Sequence, residues 1–248
     1  MKKIHIIGLT TSITLIILFI TISRNGVYDV WGIGTLLMMI LTLGVMFYQF
    51  EKGKITSKEI SLIAILSGTS AISRVPFAAI PGVQPCTYIT ICTGYVFGPV
   101  AGFMVGATTA LVSNMFLGQG PWTIFQMFAW GMVGSTASFL QKLKVKQLGL
   151  VVFGVIWGYL FGWIMNLWYW TLYIYPHTIY TLGFSMLSSV WFDTLHAIGN
   201  AIFLLILGEK TIKIFMRYKN RFHIEYGSKR KKTLPLSKED TVDVCKTL

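Results

Sequence analysis

The sequence predicts an all-α polytopic membrane protein of eight spans, and three observations carry that reading. Only 12% of the 248 residues are charged and 54% are hydrophobic, whereas a soluble domain carries about 25% charge, so this composition cannot cover a water-facing surface. Apolar runs recur at close to the roughly 20 residues that a spanning helix needs. The 21 Lys and Arg fall between those runs in a sided pattern.

The elements follow in order. Residues 6–23 come after Lys2 and Lys3 and end in ITISR without an A-x-A cleavage site. A second run, 30–50, follows at once, so the two read as an uncleaved helical pair and not as a secretory leader. Beyond EKGKITSKE comes the span 60–73, with Ser57 as its expected cap. Pro76, Pro81 and Pro85 in RVPFAAIPGVQP exclude a continuous helix there. The run 86–97 is at most about 18 Å long as a helix and has to be short, tilted or extended by the preceding loop. Gly98-Pro99 separates it from 100–117, and the turn Gly118-Gln119-Gly120-Pro121 leads to 122–140. After QKLKVKQ comes 148–170, then the aromatic connection TLYIYPHTIYTLGFS, the last span 186–207 and a basic tail.

With the first helix leaving the cytoplasm, 19 of the 21 basic residues lie on the cytoplasmic side, 11 of them after Gly208, and only Arg24 and Arg74 lie outside. Adding or dropping one helix would reverse this bias halfway along the chain. Both termini are therefore expected in the cytoplasm. The net charge of +12 is explained by topology, and no nucleic-acid partner is expected. Three cysteines, at 86, 92 and 245, have neither the count nor the spacing of a disulfide framework or zinc site, and Cys86 and Cys92 read as small buried apolar residues.

Between Glu59 and Lys142 the one charged residue is Arg74, and between Lys146 and Glu209 it is Asp193. A charge at membrane depth faces a cavity, a partner or the bundle interior. Arg74, at an outer helix end beside Pro76, either snorkels to headgroups or lines an outward-facing site. In WFDTLHAIGN, Asp193, His196 and Asn200 share one helix face. That stripe suits interhelical hydrogen bonding or ligand contact, and it is a weak signal for a metal or a proton relay. Trp122, Gln126 and Trp130 recur at i, i+4 and i+8, Asn114 and Asn166 stand near outer helix ends, and Tyr169 belongs to a dense aromatic group with Trp168 and Tyr173. Stacking surfaces with a few amides describe a pocket for a large, partly planar organic ligand better than an ion pore. Small residues at helical spacing, Ala64 with Gly68 and Ala71, Gly102 with Gly106, and Gly131 with Gly134, mean close helix approach.

Motifs exclude further chemistry. There is no G-x-x-x-x-G-K-[ST], H-E-x-x-H, C-x-x-C or G-x-S-x-G, so ATP-driven transport by this chain alone has no support, and neither a resident cofactor nor a metal is expected.

The small-residue face with Ala64 and Gly68, the segment RVPFAAIPGVQP, the stretch TGYVFGPVAGFMVGATTALVSNMFLGQGPWTIFQMFAWG and the final WFDTLHAIGN together resemble the S component, the membrane-embedded substrate-binding subunit of an energy-coupling factor (ECF) vitamin transporter. The resemblance covers roughly 57–207. It implies an S-component-like six-helix bundle, here preceded by two extra transmembrane helices, with domains at 1–50, 51–208 and a basic cytoplasmic tail at 209–248. It implies a non-enzymatic, multi-pass subunit of the bacterial cell membrane that binds a vitamin with high affinity from outside. A separate transmembrane coupling protein and two ATP-binding-cassette ATPases would energise import. Ala64 and Gly68 match the family's Ala-x-x-x-Ala docking motif, with Gly in place of the second Ala. The loop after Arg74, with Phe77 and Gln84, resembles the gate over the vitamin. Among ligands the similarity leans to the cobalamin-type subunits, while folate, pantothenate, riboflavin or a queuosine precursor fit the same resemblance. Two other classes stay open on the residues alone: a small intramembrane enzyme using Asp193 and His196 as acid and base, and a structural or regulatory subunit.

Overall fold

The computed structural model describes residues 30–53 and 56–222. The first expected span, 6–23, with Lys2, Lys3 and Arg24, lies outside the described residues, as do Cys245 and the tail beyond Phe222. Every regular element among the described residues is helical: α1 (Val30–Lys52), α2 (Ser57–Arg74), a 3-10 turn (Val75–Phe77), α3 (Pro85–Phe97), α4 (Pro99–Leu117), α5 (Trp122–Lys142), α6 (Gln147–Tyr173), α7 (Ile179–Ser188), α8 (Val190–Phe203), a π-helical turn (Leu204–Gly208) and α9 (Glu209–Phe222). Among the described residues four stretches, Ser57–Phe77, Pro99–Leu117, Gln147–Tyr173 and Val190–Arg221, are long and apolar enough to cross a membrane. The protein is an all-α polytopic membrane protein.

Several boundaries differ from expectation for local physical reasons. Thr56, not Ser57, caps α2. Its hydroxyl accepts from the Glu59 N–H, and Glu59 Oε2 accepts from the Thr56 N–H at 2.6 Å, so two otherwise orphaned donors are satisfied reciprocally. The connection after Tyr173 contains α7, opened by a second reciprocal cap between Thr178 and Thr181. The expected last span 186–207 breaks at Ser188–Ser189 and restarts at Val190. Its helix then runs on through the π turn and α9 to Phe222. There Ile212 is buried, Phe215 packs on Phe97 with centroids 5.7 Å apart, and Lys219 Nζ donates to the Val96 carbonyl at the end of α3.

The short helix α3 is the centre of the bundle. All of its 13 residues except Tyr88 are buried, so it needs neither the length nor the lipid-facing side of an outer span. Its shortness is answered by enclosure in protein. Glycines bring its neighbours in: a methyl group at Gly94 would stand 1.8 Å from the Gly134 carbonyl oxygen, and one at Gly102 would stand 2.4 Å from the same atom. Gly106 meets the Trp130 carbonyl in the same way, at 2.2 Å. The backbones of α3, α4 and α5 therefore touch, which is the close approach that small residues permit between helices in lipid.

A second glycine row, Gly154, Gly158 and Gly162, gives α6 a flat face for α8. Methyl groups there would strike Leu204, the Ala197 backbone and the Asp193 carboxylate, respectively. The segment after α2 lies beside the same helix: Phe77 meets Phe203 edge-on at 5.5 Å, Val83 faces Gly199, and Gly82 packs on Phe192 and His196. Gly82 has φ +75° and no room for a Cβ, so the chain can take this path only with glycine there.

Candidate functional site

These contacts border an open cavity of about 260 Å³, walled by Arg74 from α2, Gly82 and Gln84 from the loop, Gln126 and Trp130 from α5, Phe161, Gly162, Met165 and Asn166 from α6, and Ser189, Phe192, Asp193 and His196 at the start of α8.

Arg74 does not snorkel. The side chain is 6% exposed, and its guanidinium lies 4.5 Å over the Trp130 ring. Nε donates to Gln84 Oε1 at 2.8 Å, and Nη1 donates to Ser113 Oγ at 2.5 Å and to Asn114 Oδ1 at 3.1 Å. A guanidinium withdrawn from water has to find acceptors, and three residues supply them while the indole face supplies a π contact. Asn114 continues the network: its Nδ2 donates to Thr123 Oγ1 at 3.0 Å and to Gln126 Oε1 at 2.7 Å.

The opposite wall is built by a shorter chain. Asn166 Nδ2 donates to Ser189 Oγ at 2.6 Å, and Ser189 Oγ donates to Asp193 Oδ2 at 2.9 Å. Ser189 is four residues before Asp193, one helical turn, which is why the break between α7 and α8 matters here. No ion pair joins Arg74 to Asp193.

His196 stands between the walls. Its Nε2 lies 2.9 Å from Thr87 Oγ1, which accepts from Trp130 Nε1 at 3.0 Å, and its ring meets Phe161 edge-on at 4.9 Å.

Of the residues singled out in the sequence, Arg74, Gln84, Gln126, Trp130, Asn166, Asp193 and His196 line this cavity. Asn114 is one step behind, holding Arg74 and Gln126. Asn200 shares a helix face with Asp193 but points to α6, where Nδ2 donates to the Gly154 carbonyl at 3.0 Å. Trp122 stacks on Trp168 at 5.9 Å, Tyr169 is half exposed beside Trp168 and Tyr173, and Phe77 is on Phe203. Ser113, Thr87, Phe161, Gly162 and Ser189 had not been singled out. Gly162 was open to inference from the i, i+4, i+8 glycine row, and Ser189 from its place one turn before Asp193. Nothing in the sequence pairs Ser113 with Arg74. Among the described residues no group of three His, Cys, Asp or Glu could hold a metal ion.

A family model described as the ECF transporter, substrate-specific component, matches residues 58–208, well over half of the chain and every residue lining the cavity. The chain belongs to the substrate-specific components of ECF transporters. No curated protein and no solved structure matches it. As a substrate-specific component it is a transport subunit and not an enzyme, it takes a small-molecule substrate, and its family implies an ECF module with a coupling protein and ATPases. This assigns the cavity's buried acid and imidazole to something other than acid–base catalysis. The match begins within α2 and ends at the π turn, leaving α1 and α9 of this substrate-specific component outside it.

Proposed function

We propose that this subunit captures a compact organic micronutrient in the cavity between Arg74 and Asp193 and delivers it to its ECF module for import. The observation that supports the reading is a set of buried and partly buried polar side chains from α2, the following loop, α5, α6 and α8, each fixed by a hydrogen bond behind it, around one space of about 260 Å³. Small-molecule sites run from about 300 to 1,000 Å³, so this space favours a compact vitamin over one of cobalamin's size. Arg74, Gln84, Gln126, Trp130, Asn166, Asp193 and His196 are the binding residues of this reading. Substrate enters from the outer side, where α2 ends, and both chain termini are cytoplasmic.

Ala64 and Gly68 are the proposed contact for the coupling protein. Ala64 is exposed, and a methyl group at Gly68 would meet nothing within 4 Å, so neither position packs within the described residues.

Native mass spectrometry of the gently solubilised full chain tests the capture reading. A small organic molecule should co-purify, and its occupancy should fall in folded Asp193→Asn and Trp130→Phe protein. Wild-type occupancy in both variants, or no molecule with wild type, overturns it.

A further inference from the structure

The amides around Arg74 have only one orientation. A guanidinium donates and cannot accept, so Gln84 presents Oε1 and Asn114 presents Oδ1 to it. Asn114 then has only its NH2 left, and that group donates to Gln126 Oε1. Both glutamines are thereby fixed with Nε2 turned away from these bonds, and both line the cavity. Among the described residues neither Nε2 has a hydrogen-bond partner, nor has Arg74 Nη2. The side-chain atoms of this wall that have no partner among the described residues are therefore all donors.

The other wall has the opposite polarity. Ser189 takes up Asp193 Oδ2, and Asn166 spends its NH2 on Ser189. With the carboxyl ionised, Asp193 Oδ1 is left with Asn166 Oδ1, both acceptors, and neither has a partner among the described residues. The His196 imidazole lies between the two walls.

Resting on the reading of this cavity as the substrate site, we infer that the substrate is a compact dipolar molecule. Its carboxylate or carbonyl edge meets Arg74, Gln84 and Gln126, and its amine or N–H edge meets Asp193 and Asn166. A ligand with acceptors at both ends places oxygen against the Asp193 carboxylate, and a ligand with donors at both ends places N–H against the Arg74 guanidinium. Each arrangement leaves buried groups unpaired, which is the basis on which polar sites reject near-isosteres.

The test uses the full chain, purified in detergent, with four probes of similar breadth. Guanine and 4-(aminomethyl)benzoate carry both edges, benzoate carries only the acceptor edge and benzylamine only the donor edge. By calorimetry, at least one two-edged probe should bind tenfold or more tightly than either single-edged probe. Asp193→Asn should weaken the two-edged probe about tenfold and leave benzoate unaffected. Gln84→Glu, which keeps the acceptor for Arg74 and removes the free donor, should weaken benzoate and spare benzylamine. Thermal unfolding and gel filtration confirm that each variant is folded. Single-edged binding as tight as two-edged binding, no binding by any probe, or an indifferent Asp193→Asn overturns the inference. If a single-edged probe wins and Trp130→Phe weakens it, the cavity remains the substrate site and only the dipolar substrate is rejected. If two-edged binding survives Asp193→Asn and Trp130→Phe alike, the cavity itself is the wrong site.

Discussion

Gly162 lies directly beneath the Asp193 carboxylate: a methyl group on its Cα would stand 1.8 Å from Asp193 Oδ1 and 2.3 Å from Cγ. The absence of a side chain on α6 is what lets the acid turn into the cavity while α8 stays packed. The obstructed atoms belong to a side chain, so the acid can swing away without separating the helices. Gly162→Ala is therefore expected to cost little stability and to weaken substrate binding about tenfold, the loss of one charge-assisted hydrogen bond. At Gly158 a methyl group meets the Ala197 backbone instead, at 2.6 Å. Gly158→Ala should lower the unfolding temperature, in line with the roughly 1–3 kcal/mol typical of overpacking. Calorimetry and thermal unfolding on both variants check the contrast, and equal losses of stability would remove the distinction.

The same pair shows what the sequence could and could not disclose. Asp193 was conspicuous because it is the one charge in a long apolar stretch, and its need for compensation followed from burial. Gly162 was one of 24 glycines, and only its register with Gly154 and Gly158 marked it. Arg74 was legible as an anomaly, yet snorkelling and inward burial fit the sequence equally well, because the choice depends on Ser113 and Asn114, some 40 residues away. The short run 86–97 was legible as helix, while its place at the centre of the bundle depends on glycine contacts from α4 and α5 that periodicity does not pair. Trp122, Gln126 and Trp130 did share a face, but that face spans from the cavity to the Trp168 stack, so spacing alone could not separate a wall from its neighbour.

That separation gives a second prediction. Trp130 is fully buried, donates to Thr87 and underlies Arg74, whereas Trp122 touches Trp168 outside the cavity. Trp130→Phe should lower substrate affinity by about 1–2 kcal/mol, since it removes the indole donor and weakens the π surface under the guanidinium. Trp122→Phe should leave affinity within a factor of two. Calorimetry on folded protein decides, and equal effects would extend the site to the outer aromatic cluster.

Ala64→Trp and Gly68→Trp are expected to weaken assembly with the coupling protein and to leave substrate binding to the isolated subunit intact. The open space above Gly68 admits bulk within this chain, so any harm has to arise against a second helix that approaches closely. Co-purification with the ECF module, set beside binding by the subunit alone, makes the measurement. Binding lost with assembly retained would reverse the assignment.

Asn200 is fully buried, and its Oδ1 has no hydrogen-bond partner among the described residues while Nδ2 holds the Gly154 carbonyl. Its contribution joins α6 to α8 and does not reach the cavity. Asn200→Ala should therefore cost roughly 1 kcal/mol of stability, the scale of an interhelical hydrogen bond in a membrane, with affinity unchanged in folded protein. A tenfold loss of affinity without a drop in unfolding temperature would place Asn200 in the binding site.

The most exacting test of the donor wall is Arg74→Lys, which keeps the charge and removes the fork. One guanidinium reaches Gln84, Ser113 and Asn114 at once and lies over the Trp130 ring. An ammonium is a compact point charge with no plane to stack and a different reach. It cannot hold those acceptors and also offer a donor to the substrate in the direction that Nη2 takes. Gln84 and Asn114 then lose the partner that fixes which end of each amide faces inward, and Gln126 loses its orientation through Asn114. The expected result is an affinity loss of at least tenfold, accompanied by a lowered unfolding temperature. Adding Asn114→Asp to Arg74→Lys should restore stability without restoring affinity, because the aspartate compensates the buried ammonium and leaves Gln126 without its donor. Wild-type affinity in Arg74→Lys would show that charge alone, and not the oriented amides, receives the acceptor edge of the substrate.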